Sequence, residues 1–210
     1  MTDDAKFWDK AAAKYAASPI KDQAAYEFTL ERTKSYLSQD SSVLEIGCGT
    51  GSTGVQLAPV AGQYLGTDIS EEMISIARAK AAADNLSNAA FDVSSVAAAI
   101  AGTWPVDVVC AFSILHLVRD LEKALQGIHS RLPGGGLLIS KTPCLGSMGL
   151  AMRGVLRLIL PAMQMLGKAP FVRSLTVAEL ERVIEDAGFE IVETVPSPKG
   201  AHHYVVARKR

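Results

Sequence analysis

The sequence predicts an α/β domain on a mostly parallel sheet with helices on both faces, and three observations predict it. Short apolar, β-branched runs alternate with helical stretches through the middle of the chain, the pattern of parallel strands joined by crossover helices. A glycine-rich stretch, "VLEIGCGTGSTG" at 43–54, continues directly from the first of those runs. The length of 210 residues suits one domain whose core needs no staples.

Residues 4–17 and 21–38 are rich in alanine and charged side chains, carry apolar positions at helical spacing, and are separated by Pro19. Two helices are therefore expected before the first strand, forming a helical cover over residues 1–40. Strand-like runs follow at 43–46, 64–67, 90–93, 106–112 and 136–141. A helix is expected to begin near Thr53, after the glycines. Ser70 ahead of Glu71 and Glu72 reads as a capping hydroxyl followed by acids that suit the positive helix end. A further helix is expected over 120–130, and "TVAE" at 176–179 has the capping-box spacing of one that Gly188 closes. The chain finishes with "FEIVETV" and "HHYVVARK", joined by a turn region holding Pro196, Pro198 and Gly200, close enough for an antiparallel hairpin. No internal repeat or linker divides the chain, so 1–210 reads as a single domain.

The formal net charge of −1 gives no electrostatic footprint for nucleic acid, and none is expected as a partner. Cys48, Cys110 and Cys144 are odd in number and widely spaced, which fits neither a disulfide framework nor a metal site and suits a reducing cytoplasm. The start, "MTDDAKFWDK", carries acids and no long apolar region, so it does not read as a secretory signal. The most apolar window, 148–166, is interrupted by Arg153, Arg157 and Pro161 and reads as non-spanning.

The glycines admit two readings. Gly49, Gly51 and Gly54 satisfy G-x-G-x-x-G, while Glu45, Gly47, Gly49 and Gly51 form E-x-G-x-G-x-G. Either way a ligand can lie against backbone amides without meeting Cβ atoms. Asp68 ends "YLGTD", where an acid at a second strand terminus accepts ribose hydroxyls and supports a nucleoside. An NAD(P)-dependent oxidoreductase and a non-catalytic cofactor-binding module both remain open. None of Tyr15, Tyr26, Tyr36, Tyr64 or Tyr204 has a lysine four residues on, which counts against the short-chain dehydrogenase pattern.

The stretches "VLEIGCGTG", "GTDISEEMISIAR", "FDVSS", "VDVVCAFSILHLV" and "RLPGGGLLISK", in that order, resemble the class I S-adenosylmethionine-dependent methyltransferases over about 6–209. The opening "FWDKAAAKYAAS" is similar to small-molecule enzymes of the ubiquinone/menaquinone-biosynthesis type. This resemblance implies a doubly wound, Rossmann-like sheet of seven strands, the last antiparallel beside the fifth and sixth. It implies S-adenosyl-L-methionine as cofactor and S-adenosyl-L-homocysteine as product. Glu45 and the loop residues Gly47, Cys48, Gly49, Thr50 and Gly51 would border the methionine part, and Asp68 would hold the ribose. Ile69 and Met73 would flank the adenine, and Asp92, followed by Val93, would meet its amino group. Ala111 and Phe112 would offer backbone near the ammonium group, and Tyr15 would close over the methionine tail.

Methyl transfer from a sulfonium needs aim and dryness more than activation. A base is required only if the acceptor carries a proton that must leave. His116, in "SILHLV" after the fourth strand, is a candidate catalytic residue, since loops at strand carboxyl ends line such crevices, and the resemblance makes Tyr15, on the entry helix, the other. His202 and His203 begin a strand and point to opposite faces, with solvent exposure expected. His129 suits a helix carboxyl end. Cys48 reads as a packing cysteine, and Ser113 lacks a serine-hydrolase elbow. No histidine–carboxylate spacing suggests a metal.

Residues 144–174 form an apolar insert longer than an ordinary connection. Arg153 and Arg157 share a helical face while Leu150, Met152, Val155, Leu156, Ile159 and Leu160 supply most of the rest. The insert is expected to be a lid over a hydrophobic acceptor, such as a quinone precursor, aromatic metabolite or lipid. Contact with a membrane surface or lipid through 148–166, and a dimer contact, are the other readings.

Overall fold

The structure is a computed structural model that describes residues 3–196 and 202–210. The turn expected at Pro198 and Gly200 lies outside the described residues. Seven strands, β1 (Ser42–Ile46), β2 (Gln63–Asp68), β3 (Ala89–Val93), β4 (Val108–Phe112), β5 (Leu137–Pro143), β6 (Phe189–Pro196) and β7 (His202–Lys209), form one sheet in the order β3-β2-β1-β4-β5-β7-β6. β1 to β5 pair in parallel. β7 runs antiparallel between β5 and β6, as the resemblance implies. The chain winds outward from β1 through β2 to β3, then crosses back to β4. That reversal opens a crevice at the carboxyl ends of β1 and β4, where ligands bind in such sheets.

The central strands are buried on both faces, which is why they read as unbroken apolar runs. Val43 belongs to the core on one face, with Tyr64, Val108, Ile139 and Val206. Its neighbour Leu44 belongs to the other, with Leu125, Ile128, Leu138, Leu180 and Val205. Helices α1 (Asp3–Ala17), α2 (Gln23–Lys34), α3 (Gly54–Leu57), α4 (Glu71–Ala83), α5 (Val96–Ala101), α6 (Leu121–Arg131), α7 (Leu150–Met165) and α8 (Val177–Asp186) complete the fold.

Local chemistry sets the helix ends. The Ser70 hydroxyl accepts from Met73 N–H at 3.1 Å, and Thr176 with Glu179 makes the full capping box. The helix expected near Thr53 is only one turn, passing at Ala58 into a 3-10 turn that contains Pro59, where the missing N–H prevents α-continuation. His203 departs from its expected exposure. It is 2 % exposed, and its Nε2 lies 2.7 Å from Glu181 of α8. His202 alone faces solvent.

The helical cover divides its work. α2 is tied to the sheet edge by Arg32 and Tyr36, both bonded to Glu193 of β6, and Lys141 Nζ donates to Ala25 O at 2.9 Å. α1 is held instead at the start of α4, where Asp9 accepts from the Ser70 hydroxyl at 2.6 Å and from Glu72 N–H at 3.3 Å. Removing these bonds with Asp9→Ala is expected to cost about 1 kcal/mol and to raise hydrogen exchange across α1 but not α2. Unchanged α1 protection would contradict this anchoring.

Candidate active site

A cavity of about 1100 Å³ occupies the crevice. One wall is the glycine loop, whose conformation explains its composition. Gly47, Gly49 and Gly51 have φ of +66°, +53° and +71°, the left-handed region where a side chain is strained. A Cβ on Gly47 would fall 2.6 Å from Ile114, and one on Gly51 would fall 2.6 Å from the Ala77 Cβ. At Gly49 a Cβ would meet nothing within 4 Å. Two glycines thus let protein close in behind the loop, while the third presents bare backbone to the cavity.

Two carboxylates stand behind this wall. Asp68 accepts from Gly49 N–H and Ser70 N–H, each at 3.0 Å, so it pins the loop to the β2–α4 junction. Burial raises its pKa against the pull of those N–H groups, and Asp9 adds to the rise. Glu45, 2 % exposed, accepts from the Tyr64 hydroxyl at 2.7 Å. Burial pushes it up to about 8, opposed by the Tyr64 bond and reinforced by the Asp68 charge. Among the described residues no lysine or arginine pairs with either. Of the two, only Asp68 lines the cavity, where its carboxylate favours a cationic group placed beside it.

The far wall is apolar and held in place. Ser113 adopts φ +56°, a strained value for a non-glycine residue, and its N–H bonds to Lys141 O at 2.7 Å. Ile114 then packs on Gly47. Arg173 N–H donates to His116 O at 2.7 Å, and its guanidinium forks onto Glu122 at 2.6 and 3.0 Å. These bonds fix the strand of chain that carries Phe171 and Val172 into the lining. The Arg119 guanidinium lies 4.6 Å from the Phe171 ring centre.

His116 lines the cavity, and its Nδ1 is buried without a hydrogen-bond partner. Burial, then the nearby His202, push its pKa down to about 4, so the imidazole is neutral at pH 7. Tyr15 also lines the cavity. Its ring edge is T-shaped to Trp8, and burial of its hydroxyl, followed by Glu45 and Asp68, raises its pKa.

A family model described as a methyltransferase domain matches residues 37–188 of the chain. The chain belongs to this methyltransferase family. The sequence resemblance implies S-adenosylmethionine as cofactor, a cation of the kind the Asp68 carboxylate favours. Among curated relatives, this methyltransferase domain is 30 % identical to tRNA (uracil-5-)-methyltransferase homolog A of Mus musculus over 105 residues, covering 50 % of this chain and 16 % of that protein. It is 31 % identical to trans-aconitate 2-methyltransferase of Variovorax paradoxus over 110 residues, covering 51 % of this chain and 40 % of that protein. The chain therefore spans less than half of either relative. Magnesium protoporphyrin IX methyltransferase from Synechocystis PCC 6803, solved with bound S-adenosylmethionine, superposes with a TM-score of 0.71 at 14 % identity, covering 100 % of this chain and 98 % of that one. That likeness is one of fold.

Of the residues expected at the cofactor, Tyr15, Gly47, Gly49, Asp68, Ile69, Met73 and Phe112 line this one cavity. Glu45, Cys48, Thr50, Gly51, Asp92, Val93 and Ala111 do not. Asp92 is drawn outward by Arg78, 2.9 Å away, with both side chains more than half exposed, and Val93 is 49 % exposed. Ser94, Ser95 and Val96 line the cavity there instead. Cys48 packs with Ile74 and Phe91, its thiol pushed well up by burial and the two acids. Thr50 bonds to Lys80 at 3.2 Å on the side away from the cavity lining, and Ala111 is fully buried in the core. Trp8, Ser94 and Ser95 are among the lining residues that the sequence analysis did not single out, and all three sit in stretches that carry the family resemblance; Phe171 lies inside the 144–174 insert.

The buried acid sets a pH signature. Glu45 holds its proton in the folded protein up to about pH 8, while in the unfolded chain it ionises near its ordinary value. Between these values the unfolded state binds fewer protons, so stability falls as pH rises, by about 1.4 kcal/mol per unit at most from this group. Urea unfolding of the ligand-free chain from pH 6.5 to 8, above the range in which His116 and His202, held neutral by burial, add the opposite slope, is expected to show that decline, and Glu45→Gln to flatten it. A wild-type stability that rises over this range would contradict the assignment.

Proposed function

We propose that this domain methylates a small, hydrophobic acceptor such as a quinone precursor, aromatic metabolite or lipid. The observation that carries the reading is the continuity of one cavity from the glycine loop to the apolar wall of Trp8, Ile114, Leu117, Phe171 and Val172. When bound, S-adenosylmethionine supplies an electrophilic methyl group already activated as a sulfonium. The residues suited to hold it are Gly49 by bare backbone, Asp68 by its remaining lone pairs, and Ile69, Met73 and Tyr15 by contact. The apolar wall seats the acceptor, excludes water and holds both reactants at near-attack separation.

His116 is suited to take a proton from a hydroxyl or amine acceptor at its free Nδ1, since the imidazole is neutral at working pH. Because its pKa lies near 4, the pH profile of kcat/KM should show no loss from this group between pH 5.5 and 8. An RNA acceptor is the second reading, favoured by the mouse relative's name. The apolar wall and the net charge of −1 weigh against it.

An acceptor panel spanning hydrophobic phenols, quinols, small carboxylic acids and a structured RNA tests the proposal. Turnover is expected with the hydrophobic compounds, and His116→Ala should lower kcat about 100-fold on a phenol while cofactor affinity stays within about threefold. Activity confined to RNA or to small charged acids would overturn it.

A further inference from the structure

Within the 144–174 insert, Pro170, Phe171 and Val172 line the cavity while helix α7 stands apart from it. None of its described residues lines the cavity, and none of its described side chains is buried. Leu150, Leu158 and Met165 are 84, 79 and 89 % exposed, and Met152, Val155 and Ile159 about half. Yet the helix is properly ended. Gly167 adopts φ +63°, its N–H bonds to Gln164 O at 3.0 Å and Lys168 N–H bonds to Met163 O at 2.8 Å, the paired bonds of a Schellman stop. A helix this apolar with most of its described side chains exposed needs an outside surface to cover it.

Charge says which surface. At 100° per residue Arg153, Arg157 and Gln164 fall on one side of α7, and Val155, Leu158, Ile159 and Met163 on the other. From Lys123 to Ala178 the chain contains no aspartate or glutamate. Among the described residues, Arg153, Arg157 and Lys168 take part in no ion pair. In a chain of net charge −1 this is a local concentration of unneutralised positive charge around an apolar face. Pairing α7 with its own copy would cover the apolar face but set cation beside cation, with no acid on either helix to offset them. An anionic bilayer satisfies both features together.

We propose that α7 docks this protein in the interface of an anionic phospholipid bilayer, with Leu158, Ile159 and Val155 in the acyl boundary and Arg153, Arg157 and Lys168 at headgroup level. The chain on both sides of α7 runs into the cavity lining, through Pro143 before it and Pro170, Phe171 and Val172 after it. Docking therefore sets the cavity beside the membrane. The inference rests on exposure and charge alone and holds whichever acceptor is methylated.

Flotation of the full chain with phosphatidylcholine vesicles, with and without about 30 mol % phosphatidylglycerol, tests it without any turnover assay. The chain is expected to float with the anionic vesicles at least tenfold more strongly than with neutral ones, and less as salt rises. Leu158→Glu with Ile159→Glu should abolish flotation, and Arg153→Glu with Arg157→Glu should reduce it at least tenfold. Because these side chains are exposed, circular dichroism should match wild type for both variants. Absence of flotation, equal binding to both vesicle types, or a dimer that Ile159→Glu dissociates in a chain that does not float would each overturn the proposal.

Discussion

The site depends on two carboxylates buried without a cation. Glu45 and Asp68 sit behind a loop of three left-handed glycines, and both are pushed toward their neutral forms by loss of water and by negative neighbours. Burying an acid this way is unfavourable unless something compensates. Tyr64 and the loop N–H groups compensate in part. A cation bound beside Asp68, which lines the cavity, would add to that compensation.

The rest of the architecture assembles the walls around that corner. Parallel β1, β2 and β4 bring the loop, Asp68 and the His116 stretch to one sheet end because the winding direction reverses between β1 and β4. The strained Ser113 turns Ile114 onto Gly47, so the loop is backed by side chain where it has none of its own. α1 closes the remaining side through Asp9, which reads the amino end of α4 and thereby brings Trp8 and Tyr15 to the cavity. Strain is retained here, as it is at sites where geometry matters more than local comfort.

What the sequence made legible was whatever short-range chemistry decides. The buried central strands, the Ser70 and Thr176 caps and the final hairpin each depend on residues close together in the chain, and the structure has them all. The acids around the loop were legible as types, but their lack of a counter-ion was not, since that depends on what every other element fails to bring. Asp92 lies outside the cavity lining, paired with Arg78, fourteen residues away on the facing helix, a partner its own stretch of sequence did not reveal. His203 was misplaced because Glu181 of α8 meets it across the sheet face. The reach of 144–174 was likewise hidden. Its apolar pattern marked the segment as a cover, while which part of it meets the cavity is a tertiary fact: the backbone bond from Arg173 to His116 holds the Phe171–Val172 stretch there.

The most direct test of the central claim is proton release on cofactor binding, measured by titration calorimetry of S-adenosylmethionine in buffers of different ionisation enthalpy. With Glu45 titrating near 8 in the free protein, a cation placed in its field should lower that value and release up to about one proton near pH 7. The release should fade above about pH 9 and disappear in Glu45→Gln. Binding with no proton exchanged at pH 7, or equal affinity for NAD, would contradict the account.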